Sequence, residues 1–231
     1  MRKPIFYTET AYFLGLTLLA LGTALTEFGG WGISMVVAPA YILHLKLSQT
    51  LPFFSFGMAE YCLQAVVLLV MMVLLRKVRA HYFLSIAAAL LYGALLDLFM
   101  GLTGLIPAAN AGTRLAIYVA GVGLCAAGIA LLFHAYLPPE AYELFVKELS
   151  AKLGIQLHTF KTLYDCASLA LALGMSFAFF GQIRGIGVGT VVCAALNGLL
   201  IRAFSQVFEK HFAFQDRFSL RPIFTEREDT L

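Results

Sequence analysis

"RGIGVGTVVCAALNGLLIRAF", residues Arg184 to Phe204, opens with three glycines in six residues and continues as an apolar run broken by one asparagine, Asn197. It reads either as a phosphate-cradling loop ahead of a soluble helix or as the mouth and lining of something inside a membrane. The rest of the chain decides. Its 231 residues are 61% hydrophobic and 13% charged, with a mean hydropathy of +0.85, whereas a soluble domain is about 25% charged. No charge occurs from Leu115 to Pro139, and between Arg79 and Arg114 the only one is Asp97. A helix needs roughly 20 mostly apolar residues to cross a bilayer. The expected fold class is an all-α polytopic membrane protein.

Six transmembrane helices are expected, over Thr8–Glu27, Phe53–Leu75, Tyr82–Gly104, Ala116–Tyr136, Thr159–Phe180 and Gly187–Val207. Arg2 and Lys3 ahead of an apolar run resemble a secretory signal, but "TALTEFGGW" offers no small-x-small cleavage site, so the run is read as an uncleaved first span. With both termini cytoplasmic, the inner segments hold Arg76, Lys77, Arg79, Lys147, Lys152 and the basic residues of both ends. Only Lys46, Arg114 and Arg184 are left outside. This agrees with the positive-inside rule, whereas a seventh span at Ile33–Leu45 would throw "RKVR" to the outer side. The net charge of +3 is a matter of topology and points to no nucleic acid. Cys62, Cys125, Cys166 and Cys193 lie inside spans without a CxxC pair and read as packing residues.

A shift of 106 residues sets Gly15, Leu18, Ala20, Gly22 and Ala24 on Gly121, Leu124, Ala126, Gly128 and Ala130, and Lys46–Leu47 on Lys152–Leu153. A shift of 100 sets "YGALLD" of span three on "VCAALN" of span six, hence Asp97 on Asn197. Two three-helix repeats follow, about 8–104 and 114–207, in one transmembrane domain, 1–208, with a cytoplasmic tail at 209–231. Three spans being odd, the second copy enters from the opposite side, as in many transporters. Between spans one and two, "GGWGISMVVAPAYILHLK" is apolar but broken by glycines and Pro39, and reads as a re-entrant outer segment shielded by protein or lining a wet cavity. Its counterpart "PPEAYELFVKELSAKLG" is an amphipathic helix opened by Pro138 and Pro139 and closed by Gly154. Tyr142, Phe145, Val146, Leu149 and Leu153 share one face, and the helix is expected in the membrane interface.

On "ELSAKLGIQLHTFKTLYDCASL", "GIGVGTVVCAALNGLLIRAF" and "YGALLDLFMGL" the chain resembles the YitT/YczE family of bacterial integral membrane proteins, over Ala11 to about Phe208. The resemblance implies a bacterial inner-membrane protein and carries over no substrate.

Ionisable groups within spans are the sharpest functional signal, since a carboxylate near mid-bilayer costs about 2.5–3.5 kcal/mol on insertion scales and normally faces the bundle interior or water. Glu60, about 10 Å below the outer surface, has Gln64 one turn further along. Asp97 has Gly93 and Gly101 on its face. Asp165 has Lys161 at i−4 and Ser168 at i+3, and Asn197 shares a stripe with Thr190 and Cys193. Glu60, Gln64, Asp97, Asp165, Thr190 and Asn197 are thus the candidate lining of a solute or ion pathway. The competing reading makes Asp165 an ion pair with Lys161 and Asn197 a helix-to-helix hydrogen bond. The opening stretch follows no strand and lacks Lys-Ser/Thr, which excludes Rossmann and P-loop readings. Its glycines serve close helix approach, or Arg184, Gly185 and Gly187 offer an anion contact at the helix start.

The histidines His44, His81, His134, His158 and His211 are scattered, and no H-E-x-x-H or G-x-S-x-G occurs, so no enzyme, metal or cofactor is expected. The expected function is movement of a small solute or ion across the bacterial cytoplasmic membrane, with proton coupling as one form of it. The alternatives are a membrane module that docks a partner through the amphipathic helix, or a substrate-binding subunit of a larger transporter. The bilayer, the solute and a second copy or membrane partner are the expected associates.

Overall fold

The computed structural model describes residues 3–78, 80–107, 110–138 and 140–218. Pro139, Arg79 and the tail from 219 onward, with Arg221 and Arg227, lie outside them, as do the side chains of His81 and His158. The elements in chain order are β1 (Ile5–Tyr7), α1 (Thr8–Gly29), α2 (Ala38–Leu47), α3 (Phe56–Leu75), α4 (Ala80–Thr103), α5 (Ala111–Phe133), α6 (Ala141–Leu153), α7 (Leu157–Phe180), α8 (Val188–His211) and β2 (Ala213–Gln215). Apart from two three-residue strands, the described chain is helical.

Five helices are long and apolar enough to cross a bilayer: α1, α3, α4, α5 and α7. The two limbs of α8, Val188–Ala194 and Leu196–His211, meet at 48°, and the chain has six such segments if the bent pair is one span. Val66, Leu69 and Val73 on α3, Leu163 and Leu171 on α7, and Val191 and Leu199 on α8 are exposed. In water such a surface would aggregate; in a bilayer it meets lipid. The protein is a multi-pass membrane protein.

At the centre, α1 packs along α5. A Cβ built on Gly22 would stand 2.7 Å from the Gly121 carbonyl oxygen, and one on Gly121 would stand 2.8 Å from that of Gly22. Gly15 and Gly128 oppose each other in the same way, at 2.9 and 2.7 Å. No side chain fits between these backbones. Under the shift of 106 residues Gly15 becomes Gly121 and Gly128 takes the place of Gly22, so one contact is the image of the other. Position 15 meets 128 while 22 meets 121, so α1 and α5 run antiparallel, as oppositely inserted copies require.

The remaining contacts repeat the pattern. α1 packs on α4 as α5 packs on α8, α2 lies on α7 as α6 lies on α3, and α2 meets α3 as α6 meets α7. Two pairs break it among the described residues: α3 packs extensively on α4 and α4 touches α6, whereas α7 with α8 and α8 with α2 make no comparable contact. The sequence explains the first break. Gly57 and Gly93 bring α3 and α4 backbone to backbone, and the same shifts place Leu163 and Cys193 at their counterparts.

Neither α2, at 10 residues, nor α6, at 13, is long enough to span; at 1.5 Å per residue they reach about 15 and 20 Å. α6 runs alongside α3 in the same direction. Tyr142 meets Glu60 at its start, and Lys152 Nζ donates to the Leu74 carbonyl at its end, at 2.5 Å. The amphipathic face carrying Tyr142, Val146 and Leu149 is therefore buried inside the bundle, against Leu68, Met71 and Phe160. α2 ends with Lys46 over the Phe180 ring at the end of α7. Each half thus sends in one half-helix whose N-terminus points toward the middle.

β1 and β2 pair in parallel, Ile5 with Ala213, Phe6 with Phe214 and Tyr7 with Gln215. The Glu9 carboxylate accepts from the Arg217 and Phe218 amides and from the Tyr136 hydroxyl. Both ends of the described chain are thereby tied to one face, here the terminal face; the opposite one is the distal face. Ends on one face are what an even number of crossings gives, as with six spans when the bent α8 is one of them.

Candidate functional site

Glu60 is the fifth residue of α3, and it and Gln64 are fully buried. The bundle brings them against the start of α6. Tyr142 Oη donates to Glu60 Oε2 at 3.0 Å, the Gln64 amide donates to Glu140 Oε2 at 3.4 Å, and the Ala141 amide donates to Gln64 Oε1 at 3.3 Å. Glu140, 7% exposed, is the N-cap residue of α6, where the positive end of the helix dipole favours a carboxylate. Gln64 therefore stands between two buried acids.

Each acid keeps one oxygen, Glu60 Oε1 and Glu140 Oε1, buried with no hydrogen-bond partner among the described residues. An orphaned buried acceptor costs about 1–3 kcal/mol, more if charged. Burial, and then the Glu143 carboxylate nearby, push the Glu140 carboxyl up to about 8, against smaller opposing effects of Gln64 and Lys161. The Glu140 site therefore favours a neutral, protonated acid over an anion at neutral pH.

Other polar side chains are buried in the bundle besides the acids, among them Thr23, Thr26 and Thr190. Toward the distal face, Tyr92 Oη meets Thr23 Oγ1 at 3.1 Å, and Thr26 Oγ1 donates to the Thr23 carbonyl at 2.8 Å. Glu27 follows, accepting from the Tyr41 hydroxyl at 3.0 Å. Toward the terminal face, Tyr12 Oη donates to the Pro138 carbonyl at 3.1 Å, and Tyr136 leads to Glu9. Lys161 flanks the site, bridging Glu143 at 2.8 Å and Asp165 at 3.3 Å.

Of the residues singled out in the sequence, Glu60 and Gln64 stand together at this centre. Asp97 does not join them. Its Oδ2 accepts from Ser55 Oγ at 2.5 Å and its Oδ1 from the Gly57 amide at 2.7 Å, tying α4 to the start of α3. Asp165 is paired with Lys161, as its ion-pair reading had it. Asn197 is half-buried on α8, which does not pack on α3. Thr190 is fully buried and accepts from the Gly187 amide at 3.2 Å.

The glycine stretch that opened the sequence proves to be a junction. The Ile33 amide donates to the Gly185 carbonyl and the Gly189 amide to the Trp31 carbonyl, at 3.1 and 2.9 Å. A side chain on Gly187 would collide with the Trp31 carbonyl, and one on Gly32, at φ +112°, with Thr190 and Gly187. Arg184 lies over the Phe180 ring, 4.7 Å from its centroid. The Gly187 and Gly189 amides donate to Thr190 Oγ1 and the Trp31 carbonyl, and these glycines serve close approach.

Sequence reasoning missed Glu140 as a member of the site, having read the amphipathic helix as lying in the membrane interface. The available signal was a carboxylate at the start of that helix, directly after two prolines. Among the described residues no group of three or more His, Cys, Asp or Glu is placed to hold a metal.

These features define a multi-pass membrane protein of oppositely inserted halves with a buried pair of acids. The chain belongs to a family of unknown function (DUF6198), whose model matches residues 6–206. It is similar to the uncharacterized protein YyaS of Bacillus subtilis (strain 168), 26% identical over 210 residues covering 89% of this chain and 96% of that one. No solved structure matches.

Proposed function

We propose that this protein moves a small solute or ion across the bacterial cytoplasmic membrane, coupled to protons through Glu60 and Glu140. The observation that carries the reading is the pair of buried carboxylates, each with an unpartnered oxygen, beside the inward-pointing N-terminus of α6. A buried acid kept neutral releases its proton only when water or cargo reaches it, which is what coupling demands. The buried polar side chains of Thr23 and Thr26 support the same reading, and so does the pairing of re-entrant half-helices from opposite sides. By the distribution of Lys and Arg, the terminal face is cytoplasmic. Kinship with the YitT/YczE proteins belongs to the same proposal. The docking alternative is less well supported, because the α6 face it would use is occupied within the bundle. We propose no catalytic role.

The test is current from proteoliposomes on a solid-supported membrane under an imposed pH gradient, challenged in turn with amino acids, alkylammonium ions and inorganic monovalent cations. At least one member should evoke current in the wild type, and Glu60→Gln and Glu140→Gln should each lower it at least tenfold. Silence across the panel, or undiminished current in both variants, overturns the proposal.

A further inference from the structure

At the distal face, a cavity of about 180 Å³ lies at the junction of the two glycine loops, lined by Glu27, Thr26, Tyr41, Ile33, Ile186 and the backbones of Gly30, Gly32, Gly185 and Gly187. We propose that it binds a small organic ammonium ion, with the Glu27 carboxylate as the charged partner.

Three independent features converge on a cation. Glu27 stands on the wall with Oε1 engaged by Tyr41, which orients the carboxylate. The C-terminal end of α1, at Gly29, abuts the same space through Gly30, and a helix C-terminus carries partial negative charge. The amides that would welcome an anion, those of Ile33, Gly187 and Gly189, donate to protein oxygens. Arg114 and Arg184 flank the loops, each over a phenylalanine ring, Phe28 and Phe180; Arg114 comes within 3.6 Å of where a Cβ on Gly30 would stand, but neither arginine is among the lining residues.

The lining also selects among cations. A bare metal ion wants six or more oxygen ligands, and here one carboxylate is accompanied by two isoleucines and an aromatic ring. That mixture suits a charged nitrogen carrying a few carbon atoms, with a tyrosine face beside it. At about 30 Å³ per water-sized group, the volume admits roughly six non-hydrogen atoms, the scale of a short alkylammonium. Thr26, on the cavity wall, donates to the Thr23 carbonyl, and the Thr23 hydroxyl meets Tyr92. The site stands on its own geometry; naming ammonium compounds as cargo rests on the transport reading.

Equilibrium binding to the purified full chain tests it by isothermal titration with ethylammonium chloride, with sodium chloride and sodium acetate as controls. Saturable binding of ethylammonium alone is expected. Glu27→Gln should weaken it at least tenfold while keeping an acceptor for Tyr41, and Ile186→Trp, which fills the cavity, should abolish it. Gly123→Leu, whose Cβ would meet nothing within 4 Å, should leave it within about twofold. No saturable binding, equal binding of sodium, or an unchanged Glu27→Gln affinity overturns the site. Intact binding with currents insensitive to Glu60 and Glu140 would instead overturn only the transport reading.

Discussion

Glu60 and Asp97 look alike in the sequence, as single acids in apolar helices, and the fold gives them opposite roles. Asp97 meets the hydroxyl and amide donors at the start of α3, so it holds two helices together. Glu60 meets the Tyr142 hydroxyl and the Gln64 side chain, and retains a bare oxygen. Donor supply at the destination separates them, and that is a tertiary fact which local sequence does not encode. Glu140 gives a sharper test. Its carboxyl is raised to about 8 in the fold, so between the ordinary carboxylate range and pH 8 the folded state binds more protons than the unfolded one. Stability then falls as pH rises through that window. Thermal unfolding in detergent should show this decline from pH 5 to pH 8. Glu140→Gln should flatten it, with the variant gaining on the wild type at pH 8 by up to a few kcal/mol. A wild type equally stable at both pH values would refute the assignment.

Among the elements, the long spans were legible because a run of some twenty apolar residues has few alternatives to a bilayer. The half-helices were harder. α6 has a clean amphipathic period, and periodicity reports that one face is buried without saying in what. Its apolar face is buried in protein, and the polar start of the helix enters the bundle with it. The weak internal repeat was a better guide than its identities alone suggested, since the matched glycines are the ones that fix helix approach. Gly22→Leu or Gly121→Leu should force α1 and α5 apart. Overpacking costs about 1–3 kcal/mol, so melting in detergent should drop by about 2–12 °C. Gly123→Leu, whose Cβ would meet nothing within 4 Å, should be silent. Equal effects at Gly22 and Gly123 would contradict the packing.

For the whole molecule, the halves share a plan but not a chemistry. The positions that match Glu60 and Gln64 under the shift of 106 are Cys166 and Ala170, so the acidic centre belongs to one side of the pseudo-symmetric bundle. The sequence therefore disclosed the duplication and left its divergence to be seen in three dimensions. The tie between β1 and β2 makes a further claim testable. In a cysteine-free background, single cysteines at Phe6 and Phe214 should react with a membrane-impermeant thiol reagent from the same side of sealed vesicles, and the double variant should cross-link on oxidation. Labelling from opposite sides would refute an even number of crossings.

That parallel ribbon brings the beginning and end of the described chain within reach of each other. A polar linker of about a dozen residues could bridge Phe218 to Lys3, and new ends could be cut in the 104–110 connection. Such a circular permutant would present the second repeat first, with every packed helix pair retained. The order of the halves along the gene would then be an accident of where translation starts, and the mature bundle would bear no mark of it.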